Sequence, residues 1–106
     1  MSFFSSQTIG FSATPAFPVA TQVQLFKITL TGNVTSSTLT FGGGIVSPAM
    51  IIFEITQDAT GGRTLVWPTN VLAAPVINPG AGETTSVILY YDGTNAIAVG
   101  PGMVNP

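Results

Sequence analysis

Four carboxylates, Glu54, Asp58, Glu83 and Asp92, are the groups in this chain best placed to do acid–base chemistry, and only two cations, Lys27 and Arg63, accompany them. Histidine and cysteine are both absent. A serine or thiol nucleophile therefore has no imidazole base, and no thiolate metal site can be built. Two carboxyl groups suffice for glycoside hydrolysis, provided that one sits in a cleft with a raised pKa. Asp58 and Asp92 fall in turn sequences, and a chain of 106 residues leaves little room for such a cleft. No catalytic residue is assigned, and an enzyme is not expected. Asp92-Gly93-Thr94-Asn95 places oxygen ligands at alternate positions, as a calcium loop begins, but lacks the later acidic ligands. A hairpin turn that uses Asp92 and Gly93 for their backbone preferences is the better reading. Gly42-Gly43-Gly44 is followed by neither a lysine nor a helix start, so it is no phosphate cradle. No metal and no cofactor are expected.

The remaining role for these residues is to shape loops. Asp58 can cap its own loop through an Asx-type bond or pair with Arg63 across it, while Gly61 and Gly62 supply positive φ. The elements holding these loops are strands. From Val23 onward the dominant period is two, and Phe26, Ile28 and Leu30 share one face while Lys27, Thr29 and Thr31 share the other. Gly32-Asn33 reads as a two-residue hairpin into a Thr-rich strand, Val34 to Phe41. Further strands are expected at Met50 to Gln57, Arg63 to Trp67, Thr84 to Tyr91 and Ala96 to Val99. Setting Gln57 opposite Arg63 pairs Ile55 with Leu65 and Phe53 with Trp67, which predicts an odd-length loop centred on Thr60. Trp67 is then the anchor of the core. No helical window survives the glycine, proline and β-branched content. The expected fold is a single-domain, all-β antiparallel sandwich or jelly-roll-like barrel over residues 22–100, with a C-terminal tail at 101–106.

Residues 1–21 hold Pro15 and Pro18 among small polar residues, a composition that favours an extended arm. Phe3, Phe4, Phe11 and Phe17 are out of place on a solvated tail. They mark the stretch either as an attachment arm or as an edge strand along its own domain. Apolar residues make up 45% of the chain and charged residues 6%, against about a quarter charged in ordinary soluble proteins. So little charge on so apolar a chain implies that surface is hidden against neighbouring molecules, with Ile52 and Val66 as outward apolar candidates. The net charge of −2 and the separation of the two cations give no footprint for a phosphate backbone, so nucleic acid is not an expected partner. No apolar run approaches the ~18 residues of a membrane span, and the N-terminus lacks the pattern of a secretion signal. Synthesis in a cytoplasm is the expectation.

Three segments carry a family resemblance: Leu30-Thr31-Gly32-Asn33-Val34-Thr35-Ser36-Ser37-Thr38-Leu39, the stretch from Ile55 to Pro68 that reads ITQDATGGRTLVWP, and Tyr91-Asp92-Gly93-Thr94-Asn95. In order and spacing they resemble a small β-rich module of tailed-bacteriophage virion proteins, above all tail fibres, across roughly residues 22 to 99. The central stretch is the specific one. The resemblance implies a virion structural protein without catalytic residues, commonly trimeric. Because that module is usually one piece of a longer fibre chain, a short version fits a capsid decoration or cement protein on the capsid surface. There it would form a homotrimer bound to the major capsid protein or other virion proteins. The alternative is a tail-fibre or tail-tip module that binds a host receptor or glycan through loops carrying Thr60, Asn70, Asn78 and Asn95, with Tyr90 and Tyr91 nearby.

Overall fold

The structure, a computed structural model, describes residues 4–72, 74–99 and 103–104. Those residues form nine strands and no helix: β1 (Phe4–Ile9), β2 (Ala16–Val19), β3 (Val23–Leu30), β4 (Thr38–Phe41), β5 (Ala49–Gln57), β6 (Val71–Leu72), β7 (Thr84–Tyr91), β8 (Ala96–Ala98) and β9 (Met103–Val104). The all-β class expected from the periodicity holds. The antiparallel sandwich or jelly-roll-like barrel does not, because the chain winds as a coil between two layers. β1, β3 and β5 lie side by side and parallel in one layer, while β2 and β4 lie parallel in the other. The segment after β5 returns to the second layer, where Leu65 forms a parallel bridge with Val34 and the Asn70 amide donates to the carbonyl of Leu39. The coil ends where β7 turns back antiparallel to β5. β8 and β9 pair with β7, and β6 pairs with β8.

This winding corrects two expected hairpins. Gly32-Asn33 does not fold β3 onto the next strand but carries the chain from one layer to the other. There Val34 N–H donates to Thr64 O at 2.8 Å, and Asn33 Oδ1 accepts from Thr64 N–H at 3.0 Å. Likewise residues 63–67 do not pair with β5, whose neighbours are β3 and β7. Gln57 and Arg63 do meet, but through a side chain: the Gln57 amide accepts from Arg63 N–H at 3.0 Å and donates to Arg63 O at 2.9 Å. It makes the two bonds that a ladder partner would have made. The same Nε2 donates to Asn78 O at 3.1 Å, which satisfies a polar group that is only 2% exposed.

The core lies between the layers and is built in ranks. Gln24, Ile51 and Leu89 share one rank across β3, β5 and β7, then Phe26, Phe53 and Val87, then Ile28, Ile55 and Thr85. All nine are buried. From the second layer Phe17 meets the middle rank edge-on, with ring centroids 5.4 Å from Phe26 and 4.9 Å from Phe53. Here the expected arm needs correction, since Phe17 is 1% exposed and belongs to the core. β1 forms the outermost strand beside β3, and Phe11 lays its ring against Gly32, where an added Cβ would come within 3.0 Å of it. Phe3 lies outside the described residues. Phe4 opens β1. Trp67 is also displaced from its expected place. It is half-buried at the core's edge, where its ring meets Phe53 at 5.3 Å and Nε1 donates to Pro75 O. Phe17, Phe26 and Phe53 occupy the centre instead. Of the expected tail, Met103 and Val104 form β9.

Candidate assembly interface

The loop-shaping residues sit at the two ends of the coil. At one end Asp58 Oδ1 accepts from Thr60 N–H and Gly61 N–H, and Oδ2 accepts from Arg63 Nη2 at 3.0 Å. Capping and ion pairing therefore occur together. The Arg63 bond first, then that from Gly61, holds the Asp58 carboxyl below its ordinary range. Gly61 and Gly62 adopt φ of 72° and 73°. Only Gly61 is sterically confined, because a Cβ there would lie 2.7 Å from Ala81 N and 2.8 Å from Pro79 O. At the opposite end Asp92 Oδ1 accepts from Asn95 N–H at 2.7 Å and Thr94 N–H at 2.9 Å, bonds that lower its pKa as well. Gly93 has φ of 102°, and the turn joins β7 to β8 as the sequence suggested.

The residues proposed for sugar contact are divided between these ends. Thr60 and Asn78 lie by the Asp58 loop, where Asn78 Oδ1 caps Gly80. Asn70 and Asn95 lie by the β7–β8 turn, where Ala96 N–H donates to Asn70 O. Tyr91 stacks on Phe41 at 3.8 Å, and its hydroxyl donates to Gly93 O. Tyr90 points the other way, onto the outer face of the large sheet.

That outer face is where unexplained surface accumulates. The strand register aligns Val23, Met50, Tyr90 and Ile97 in one outward rank and Leu25, Ile52 and Ile88 in the next. Val99 N–H bonds to Ile88 O and extends the second rank. Met50, Ile88, Tyr90 and Val99 are each about two-fifths exposed or more, and the others are half-buried. Adjoining ranks are polar: Lys27, Glu54 and Ser86, then Thr29, Thr56 and Thr84. Parallel strands are ordinarily covered on both faces, whereas a contiguous apolar patch on a free surface marks a contact site. Ile52 sits within this patch, as the sequence suggested. Val66, the other outward candidate, is half exposed but lies in the opposite layer, so the two do not form one surface. Leu25 and Val23 escaped the sequence reading, although their odd-numbered positions on β3 already placed them on the Lys27 face.

A second concave feature is a cleft of about 390 Å³ between residues 62–67 and 74–79, walled by Leu65, Trp67, Pro75, Val76 and Ile77.

The sequence model of the family described as "Putative phage tail fibre C-terminal domain" matches residues 13–96, more than three-quarters of the chain. The chain belongs to this family. The tail fibre domain is thus a structural module of the bacteriophage virion, as the three sequence segments implied. The match begins before β2 and ends on β8, so it takes in the whole coil from the second layer onward. It favours the tail fibre over the capsid-decoration role expected from the chain's brevity, and the capsid surface gains no support. Among curated proteins and solved structures no match was found.

Proposed function

We propose that this domain is a packing module of the tail fibre, which breaks and makes no covalent bonds and works by association of its own copies, three around a common axis, through the outer face of the large sheet. The observation that carries this reading is the pair of adjoining apolar ranks centred on Ile52 and Met50. Covering them removes apolar area from water at about 25 cal/mol per Å². The carboxylates argue in the same direction. Glu54 lies on the outer face, Asp58 and Glu83 near one end and Asp92 at the other, and both turn aspartates have lowered pKa values where a general acid needs a raised one. Sedimentation velocity on the wild-type chain and an Ile52→Asp variant tests the reading. Wild type is expected to sediment as an oligomer and Ile52→Asp as a folded monomer. A wild type that stays monomeric at high micromolar concentration overturns it.

One observation favours receptor binding as a second reading. The cleft beside Trp67 combines an aromatic residue with apolar walls and the polar residues Arg63 and Thr64, the mixture that small-molecule sites use. Saturable binding on a glycan array, lost in a Trp67→Ala variant, is the expected outcome under that reading. An array without any signal sinks it.

A further inference from the structure

Lys27 and Glu54 are neighbours in the register of β3 and β5 and point to the same outer face. Among the described residues they are the only charged side chains there. The ion pair found among the described residues is Arg63–Asp58, so Lys27 and Glu54 are not closed on each other. Their position matters because of area. Two apolar ranks on four strands span about 250 Å² in projection, from strand spacings of ~4.8 Å and rises of ~3.3 Å per residue. Even doubled for side-chain relief, that is short of the ~800 Å² per partner of a stable interface. A lasting contact must therefore extend over the polar ranks too, and this brings both charges inside it. A covered charge needs a partner of opposite sign.

We propose that copies of this domain associate in parallel, their strands running the same way along a shared axis, with Lys27 of each copy meeting Glu54 of the next. This rests on the self-association reading above and adds its orientation and its charge contact. Rotation about an axis along the strands leaves every residue at its own height. With that axis over the gap between β3 and β5, residues of these two strands at one height meet head to tail around the ring: Leu25 with the next copy's Ile52, and Lys27 with its Glu54. Packed sheets lie about 10 Å apart, which an extended lysine and glutamate together can span. Antiparallel association fails on the same geometry. A two-fold axis across the strands at the charged rank sets Lys27 over Lys27 and Glu54 over Glu54. Moved to the Leu25–Ile52 rank, it sets Lys27 over Val23 and Glu54 over Met50, each charge covered by an apolar neighbour. Of these arrangements, the parallel one with its axis between β3 and β5 matches apolar to apolar and cation to anion at once, which is the pattern by which interfaces select an orientation.

The test uses the full chain with Lys27→Glu, Glu54→Lys, the double exchange and Ile52→Asp, followed by sedimentation velocity and by thermal melting as a check on folding. Each single exchange is expected to weaken association about tenfold or more, and the double exchange is expected to restore it. Single exchanges that assemble like wild type while Ile52→Asp dissociates overturn the parallel pairing but leave the face as an interface. A double exchange no better than the singles overturns the pairing as well. If Ile52→Asp also assembles like wild type, the self-association reading itself is lost.

Discussion

Replacing Phe17 by alanine separates a stretch that belongs to the fold from one that is only attached to it. The ring is 1% exposed and touches both Phe26 and Phe53 edge-on, at 5.4 and 4.9 Å. It is the main aromatic contribution of the second layer to the middle rank of the first. Truncating a buried phenylalanine costs about 3–5 kcal/mol, and edge-on aromatic pairs add roughly 0.5–1.5 kcal/mol each beyond buried area. The upper half of that range is expected here, because the two edge-on ring contacts are lost together with the buried area. A loss of about 4 kcal/mol is a large share of the roughly 5–15 kcal/mol that holds a domain together. With a urea slope of about 1–3 kcal/mol per molar, the midpoint should fall by roughly 1.5–4 M. Trp67 reports the transition through its fluorescence, since its ring packs on Phe53 at 5.3 Å. Urea titrations of wild type and Phe17→Ala at equal protein concentration measure the difference. A midpoint shift under ~0.5 M would mean that Phe17 is not a core residue, and the two-layer packing would be refuted. Deleting residues 1–18, which an attachment arm would tolerate, should on the same argument leave no cooperative transition.

Further outcomes follow from the loops. Gly61→Ala should destabilise clearly more than Gly62→Ala: both carry positive φ, a strain of roughly 1–2 kcal/mol for a side chain, but only Gly61 meets backbone within 3 Å. Equal melting temperatures for the two would contradict that packing. Gln57→Ala should cost about 1–3 kcal/mol, because Arg63 N–H, Arg63 O and Asn78 O all lose a buried partner; chemical denaturation measures it. Asp58 and Asp92 have folded pKa values below their ordinary 3.8. Their contribution is therefore present above pH ~4 and lost as the pH falls through the lower folded values. Thermal midpoints should drop on acidification through that window, and less steeply in an Asp58→Asn, Asp92→Asn double variant. An unchanged acid slope would show that the turn bonds contribute nothing.

How far the fold could be read from the sequence depended on what a period of two conveys. It located β3, β5 and β7 nearly to the residue, with the buried face of β3 at Phe26, Ile28 and Leu30. It says nothing of direction or partner. Strands in a coil alternate between layers, so the turns at Gly32-Asn33 and Asp58 to Gly62 change layer where a hairpin turn would return. Their glycine and asparagine content is the same in either case. The Gln57–Arg63 contact was legible because hydrophobic matching placed the two together. That a side-chain amide and not a strand makes the contact depends on the third dimension. Phe17 was misread for a related reason. Pro15 and Pro18 argue against helix, but Pro18 is tolerated on a strand of a two-stranded sheet, and proline-rich composition does not distinguish an extended arm from an extended strand. The outer face was legible in part. Ile52 was placed on it, but the Trp67 hairpin took Val66 along with it and left Leu25 and Val23 unassigned.

The two outward ranks raise a question of register that the fold has to answer for itself. Slipping a strand by one residue turns its buried face outward, and such a slip usually exposes apolar residues and buries polar ones. Here the first half of β3 and β5 gives little protection, since Leu25 and Ile52 are as apolar as Ile28 and Ile55. Lys27 and Glu54 supply the discrimination. In the slipped register they would replace Phe26, Ile28, Phe53 and Ile55 in the space beneath Phe17, among side chains with no group to solvate a charge, at a strongly unfavourable cost. Gln24 and Gln57 act from the buried side. Gln24 accepts from Ser5 Oγ and Ala20 N–H, and Gln57 holds Arg63 and Asn78, bonds that a slip would break by turning both amides outward. A chain with few charges thus spends two of them at the positions where the apolar pattern alone is ambiguous. The same placement leaves Lys27 and Glu54 at equal height on adjacent strands, so the residues that fix the register of one copy are also those able to fix the orientation of the next.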